Sequence, residues 1–424
     1  MFDGESSGDL LRVMRQASRR RRRERDAAME RVICAPLADV VRECALVHLP
    51  PAAATRLRLV HPTWACRISS PLFAVVHAAA PRLLSGVFVP SAGFLPFDGT
   101  DTVPSPSLSF VPTSSDLVVL SSSHGIACCF SPHDDAYAVC NPATALWTAV
   151  PSPPRRSWPR PAIVVLFDTS IYNFRGDYTL VCPFDSAPGS GAYFFQVFTS
   201  GTGTWLITDA MALAEGLVPA SGVAAGGTAW WRTSIGTAVG YNPVTGRVDL
   251  VLCPGDSGQW EIGSAADKLH CAVRDGCDVV VFRLHEHGSW VEAARVAVSE
   301  ILQSPWTSTE IVEIRNPEPA DEHAQDAASD ETDSLSSDGT RAVFAAFSAG
   351  DGVRLLSFQS AEVEVVVLAG RRLVAFDTRA RRRREVVLPD QVGTEWDGAE
   401  HAAHTNTLAL VAPVILAAQP ALAE

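Results

Sequence analysis

Tyr137-Ala138-Val139-Cys140-Asn141-Pro142-Ala143-Thr144-Ala145-Leu146-Trp147 recurs as Ala238-Val239-Gly240-Tyr241-Asn242-Pro243-Val244-Thr245-Gly246-Arg247-Val248. It returns more loosely as Leu373-Val374-Ala375-Phe376-Asp377-Thr378-Arg379-Ala380-Arg381-Arg382-Arg383. Each copy reads as an inner strand, a polar turn and an outgoing strand that ends near a proline, Pro151, Pro254 or Pro389. Asn or Asp at the first turn position can bond its own downstream backbone, and Pro at the second presets φ for the reversal. Related hairpins run from Phe198 to Trp205 and from Phe282 to Trp290. The steps from Ser200 to Asn242 and from Asn242 to Glu286 are 42 and 44 residues. A period of that length, with four strands per unit, is what a β-propeller blade requires. The longer step from Asn141 to Ser200, 59 residues, implies a long loop around Pro151 to Pro161.

The rest of this region agrees. Between Leu117 and Val411 roughly two dozen short β-rich runs alternate with Gly, Pro, Asp, Asn and Ser clusters, the pattern of antiparallel strands. Examples are Leu117–Leu120, Ile163–Phe167, Tyr193–Phe198 and Val279–Phe282. No long helix is predicted there.

Ala35 to Ala80 has a different texture. Leu37, Val40, Val41, Cys44 and Ala45 follow the stripe of an amphipathic helix, which Pro50-Pro51 ends. A second stripe is predicted at Ala53, Leu57, Val60, His61 and Trp64, with Leu59 pointing off it. Pro62 can start a further turn, and Ser70-Pro71 is a good N-cap and first-position pair for a last helix through Phe73 and Val76. A module this short is below the size at which one core suffices, so its spare apolar faces predict a partner.

This block resembles the F-box, the motif that attaches substrate receptors to SCF-type ubiquitin ligases. Pro36, Asp39, Val40, Glu43, Leu49, Pro50, Leu57, Arg58, Val60, Trp64, Ser70, Pro71 and Phe73 fall in its register. The acidic pair is reduced to Asp39, and His61-Pro62 stands where Cys-Lys is usual. From about Leu83 to Ala418 the chain resembles the kelch-like F-box-associated propellers of the large plant F-box receptor families. That resemblance is carried by the Asn-Pro-x-Thr hairpins, Gly226-Gly227-Thr228-Ala229-Trp230-Trp231, Lys268-Leu269-His270 and the Gly288-Ser289-Trp290 hairpin end.

The expected organisation is α+β and multidomain. It comprises an Arg-rich tail over 1–31, a helical F-box module of three or four helices over 32–80, and a linker with a lead-in strand over 81–112. An all-β propeller of six blades then spans 113–420. An insert over 316–340 breaks the pattern. From Pro317 to Asp338 it holds eight acidic residues and no Lys or Arg, so it is too polar to bury and is predicted to be a disordered loop.

Composition limits the function. The net charge of −13 argues against nonspecific nucleic-acid binding, and 47% hydrophobic residues suit a globular chain. Ten cysteines without a Cys-x-x-Cys indicate neither a disulfide scaffold nor a zinc finger. The N-terminal stretch lacks a secretory signal pattern, and the apolar run Leu408–Ala418 is too short to span a bilayer. The expected setting is the cytoplasm, the nucleus or both. Arginine almost wholly replaces lysine, with Lys268 the only lysine.

Motifs for phosphate loops, nucleophile elbows and zinc helices are absent from the sequence, and His285-Glu286-His287 reads as a polar hairpin tip. No catalytic residue, metal or cofactor is therefore expected. The resemblance implies a non-catalytic substrate receptor whose helices dock a Skp-type linker and, through it, a cullin, while the propeller holds a target protein. The linker-binding residues would be Pro36, Leu37, Val40, Val41, Leu49, Pro50, Leu57, Leu59, Val60 and Trp64. Trp158, Trp231 and Trp306 are the candidates for target contact, with burial between blades as the competing role of each. The alternatives are a propeller interaction module whose F-box engages no ligase, and a propeller hydrolase or lectin with acid, histidine or metal-ligand residues gathered at blade mouths.

Overall fold

The structure is a computed structural model that describes residues 45–97, 102–113, 116–187, 189–255, 259–285, 288–302, 352–390, 392, 396 and 398–414. The predicted tail, the helix over 37–44 and the acidic insert lie outside these residues.

A single 3-10 turn at Leu46–His48 leads into α1 (Pro51–Leu57), α2 (Pro62–Ile68) and α3 (Pro71–Ala79). Each helix opens on a proline, whose missing N–H costs nothing where no intrahelical partner exists. The predicted Ser70 cap is present, with its Oγ accepting from the Phe73 N–H at 3.2 Å. The predicted second stripe is not continuous. Pro62 drives His61 to extended backbone (φ −151, ψ 139), so the chain turns between Leu57 and His61, and His61 caps α2 instead. Val60 consequently leaves the apolar face. Leu46, Val47, Ile68 and Phe73 form a small core, closed from the propeller side by Leu408.

Six sheets follow, as the hairpin period predicts. Blade 1 holds β1 (Gly86–Val89) and β2 (Gly93–Pro96). Blade 2 holds β3 (Val118–Ser123), β4 (Ile126–Ser131), β5 (Ala136–Asn141) and β6 (Leu146–Val150). Blade 3 holds β7 (Val164–Phe167), β8 (Tyr178–Asp185), β9 (Ala192–Thr199) and β10 (Thr204–Leu213). Blade 4 holds β11 (Val223–Ala225), β12 (Thr228–Arg232), β13 (Thr237–Tyr241) and β14 (Val248–Leu252). Blade 5 holds β15 (Trp260–Ala265), β16 (Lys268–Asp275), β17 (Asp278–Leu284) and β18 (Trp290–Ala297), and a short helix α4 (Val298–Leu302) leaves it. Blade 6 holds β19 (Val353–Leu356), β21 (Glu364–Ala369), β22 (Arg372–Asp377) and β23 (Arg382–Val387). The two-residue β20 (Gln359–Ser360) pairs with β15 of blade 5.

The ring closes through β24 (Ala402–His404), which pairs antiparallel with β1, Gly86 opposite His404 and Phe88 opposite Ala402. The residues read as linker and lead-in strand thus supply two strands of the closing blade. Joining the last strand to the first leaves the ring without a free seam.

The repeated hairpins join the third and fourth strands of blades 2 to 6. Their turn chemistry is the one predicted. Asn141 Oδ1 accepts from Ala143 N–H at 2.9 Å, Asn242 Oδ1 from Val244 and Thr245 at 3.0 Å, and Asp377 Oδ1 from Arg379 and Ala380 at 2.9 Å. The tryptophans ending two hairpins tie neighbouring blades together. Trp205 Nε1–H donates to Pro151 O at 2.7 Å, and Trp290 Nε1–H to Leu252 O at 2.6 Å. The corresponding Trp147 follows the three-stranded blade, which offers no outer strand, and is 40% exposed.

Candidate functional site

In a four-stranded antiparallel blade the first-to-second and third-to-fourth turns lie at one end, and the remaining connections lie at the other. The β3–β4 turn at His124-Gly125, the β7–β8 loop and the Asn141 hairpin therefore share one face. The segment 405–414 crosses this face after β24. Thr407 Oγ1 donates to His124 O at 2.7 Å, Asn141 Nδ2 to Ala409 O at 2.7 Å, and Ala412 N–H to Gly176 O at 3.0 Å. Gly176 has φ +75, and a Cβ there would stand 2.1 Å from Leu410 O, so only glycine admits the strap this closely.

The helices are fastened to the same face. His77 on α3 is fully buried. Its Nδ1 accepts from the Leu408 N–H at 3.1 Å, which leaves Nε2 protonated and donating to Leu49 O at 3.1 Å. Arg82 donates through Nη1 to the same carbonyl at 3.0 Å and through Nη2 to Val47 O. Burial, with the Arg82 charge behind it, pushes His77 down to about 3, so the imidazole is neutral at physiological pH. His124 Nδ1, 3.1 Å from Ala78 O, makes the last link.

The exposed surface of the module mixes Arg56, Arg58 and His61 with large apolar side chains. Leu59 is 91% exposed and Val60 63% exposed, both in the turn between α1 and α2, and Leu72 on α3 is also exposed. Of the sequence-predicted linker-binding residues, Leu49, Leu57 and Trp64 are half-buried and pack on the module's own core, and Pro50 is half-buried beside them. Leu59 and Val60 stand out in solvent, while Pro36, Leu37, Val40 and Val41 lie outside the described residues.

Of the target-contact candidates, Trp231 requires a correction. Trp231 is fully buried between blades, its Nε1–H donating to Ala162 O at 3.1 Å, because an indole this large is most stable where its ring is covered and its donor paired. It presents no surface to a partner. Trp158 is half-buried in the blade 3 core, its ring 5.9 Å from that of Tyr193. Trp306 lies outside the described residues.

Sequence reasoning missed the β7–β8 loop on the helical face. Ile171, Tyr172 and Phe174 are all exposed there, Tyr172 at 77%. The loop is braced from within. Asn173 is buried and donates through Nδ2 to Asp168 O at 2.7 Å and Asp177 O at 3.0 Å, while its Oδ1 accepts from the Asp177 N–H at 2.6 Å. The available signal was three large apolar residues inside a stretch bounded by Asp168 and Asp177, too polar to be a strand.

The opposite face carries a cavity of about 210 Å³ near the channel mouth, lined by Ser91, Ser107, Asp116, Arg160, Glu400 and His401 among others. Arg160 Nη1 lies 3.0 Å from Glu400 Oε2, and Nη2 donates to Val119 O at 3.1 Å; burial lowers the guanidinium pKa and Glu400 opposes that. His401 accepts at Nε2 from Ser357 N–H (3.0 Å) and Oγ (2.8 Å), and its Nδ1–H donates to Gly398 O at 2.7 Å. Burial pushes it down to about 4. Both ring nitrogens serve the fold, so this histidine has no lone pair for a substrate proton. Among the described residues no group of three His, Cys, Asp or Glu side chains is placed to hold a metal ion. Of the His285-Glu286-His287 tip only His285 is described. Among the described residues no helix is long and apolar enough to cross a membrane.

No protein-family model matches the chain, and no curated protein matches it. Among solved structures it is similar to apo AztD from Citrobacter koseri, with 10% identity over 71% of this chain and 78% of that one and a TM-score of 0.34. It is similar also to YCF48 bound to D1 peptide, at 11% identity over 65% and 68% with a TM-score of 0.33. The β-propeller domain of Cps50 (Swd1) from Myceliophteria thermophila gives 11% identity over 50% and 54%, with a TM-score of 0.30. Likeness at this level says nothing of function, and the six-bladed architecture rests on the chain's own strand pairings.

Proposed function

We propose that this protein is a substrate receptor of an SCF-type cullin-RING ubiquitin ligase. The helical module docks a Skp-type linker and the propeller holds a target protein for ubiquitination. The observation that carries this reading is the uncovered apolar turn at Leu59 and Val60, in a module whose other face is fastened to the propeller. Such fastening suits a receptor. Rate is gained by raising the local concentration of target lysines and orienting them, which demands a stiff joint between docking module and target-binding body. In this reading the chain supplies no acid, base or nucleophile of its own, and works in the cytoplasm or nucleus.

The test is affinity capture of the full chain from a eukaryotic extract, followed by mass spectrometry. Skp-type linker and cullin should be enriched with wild type. The Leu59→Asp, Val60→Asp double variant should lose both, because these side chains contribute nothing to the module's core and the fold should persist. A variant that still recovers linker and cullin, or a wild type that recovers neither, removes the ligase assignment. In that second case the same contacts to Leu408 and His124 favour a different reading, in which the helices cap a propeller interaction module that engages no ligase.

A further inference from the structure

We infer that Cys253 and Cys271 form a peroxide-responsive dithiol, Cys253 being oxidised first and Cys271 resolving it into a disulfide that ties blade 4 to blade 5. Their sulfurs are 3.8 Å apart. Cys253 directly follows β14, the outer strand of blade 4, and Cys271 lies within β16, the second strand of blade 5. The pair therefore spans a blade boundary, beside the Trp290 Nε1–H to Leu252 O bond at 2.6 Å.

The two thiols are unlike. Cys253 is half-buried and within reach of a small solute, while Cys271 is sealed in the core. The Cys271 thiol bonding to its sulfur, with Gly255 N–H adding a second donor, holds Cys253 below the usual thiol range against the opposing effect of burial. The same hydrogen bond and burial push Cys271 up. A half-buried thiol whose neighbour's hydrogen bond favours its ionised form, set beside a protonated partner, is the arrangement peroxide sensing needs.

The molecule contains its own comparison. Cys129 and Cys140 approach to 3.7 Å but are both fully buried, so the spacing is present and the access is not. Cys66 and Cys277 are exposed, and neither has another sulfur within hydrogen-bond reach among the described residues.

The chemistry balances with hydrogen peroxide as oxidant. The Cys253 thiolate attacks one peroxide oxygen, the O–O bond breaks, and a sulfenic acid and hydroxide result. Cys271 then gives up its proton, its sulfur attacks the Cys253 sulfur, the S–O bond breaks and water leaves. Two thiols and one peroxide become one disulfide and two waters, with two electrons passing from sulfur to oxygen. The sulfurs must close to about 2 Å. Cys253 directly follows β14 with its N–H donating to Gly236 O at 2.7 Å, so rotation about the side-chain torsions supplies the closure.

The experiment treats the folded full chain with stoichiometric hydrogen peroxide, blocks remaining thiols with N-ethylmaleimide and maps peptides without reduction. A Cys253–Cys271 linked peptide should form, reversible by dithiothreitol and about tenfold or more in excess of any Cys129–Cys140 link, in proportion to thiolate access. Cys271→Ser should trap the intermediate as a dimedone adduct on Cys253, and Cys253→Ser should abolish both. The wild-type map alone is decisive, independent of how the variants fold. Oxidation of Cys66 and Cys277 without a Cys253–Cys271 link, or equal yields of the two links, overturns the inference.

Discussion

The backbone N–H of Leu408 donates to Nδ1 of His77 across 3.1 Å, joining the strap that follows the last strand to the third helix. A residue after the ring has closed thus orients one that precedes its first strand. The tautomer this imposes lets Nε2 bond Leu49 O, so a single buried imidazole holds the strap, the helix and the turn before α1.

His77→Ala should therefore loosen the helices selectively. It removes one acceptor and one donor from a dry site and opens a cavity, at a cost of about 2–4 kcal/mol. Limited proteolysis should cut between Leu46 and Ala79 far faster than in wild type, while the propeller resists. Equal protection of both regions would show that the strap contact is dispensable.

Stability should fall in mild acid. His77 and His404 are held near 3 and His401 near 4, each chiefly by burial. In the unfolded chain they titrate near 6.5, so the unfolded state binds more protons between those limits. Stability is then fully present above about pH 6.5 and is lost as pH falls toward 4, by up to ~1.4 kcal/mol per pH unit for each histidine. Glu261, whose buried carboxyl is held above its usual range chiefly by burial, works in the opposite direction as pH falls toward its ordinary value and offsets part of this loss. Urea midpoints at pH 7.5 and pH 5 should differ with little change in slope, and coincident midpoints would contradict the assignment.

Glu364 is fully buried. It takes the Arg384 guanidinium, the Leu84 N–H at 2.7 Å and the Ser360 Oγ–H at 2.6 Å, linking blade 6 to the segment before β1. Arg384→Ala leaves that carboxylate without its cation and should cost about 3–5 kcal/mol. Arg384→Ala with Glu364→Gln should recover part of the loss in thermal unfolding. A double variant no better than the single would place the effect elsewhere.

The hairpin tryptophans should not be equivalent. Trp205→Phe strands the Pro151 carbonyl at a part-buried site and should cost about 1–2 kcal/mol, whereas Trp290→Phe, whose partner Leu252 is exposed so that water can replace the bond, and Trp147→Phe should each cost less than about 1 kcal/mol. Chemical denaturation of the three variants should show Trp205→Phe as the most destabilised, and equal midpoints would contradict the account.

The blade count and the hairpin positions were legible because their signals are local. Asn141, Asn242 and Asp377 cap their own downstream amides whatever surrounds them. The Ser70-Pro71 start of α3 is legible for the same reason. The predicted stripe through Val60 failed because a periodicity argument ignored how Pro62 constrains the residue before it. Trp231 looked like a contact candidate because an indole carries no mark of which side of a sheet it will occupy.

Sequence alone established a helical segment followed by a ring of repeated four-strand units, since turn residues and strand period act within a few positions of each other. Only the tertiary structure decided that Ala402–His404 closes the ring against Gly86–Phe88, that His77 and Arg82 bind the helices to it, and that Leu59 and Val60 stay exposed in the turn between α1 and α2. Those outcomes depend on pairings between residues as many as 331 positions apart, where burial and hydrogen-bond satisfaction are settled by the whole chain at once.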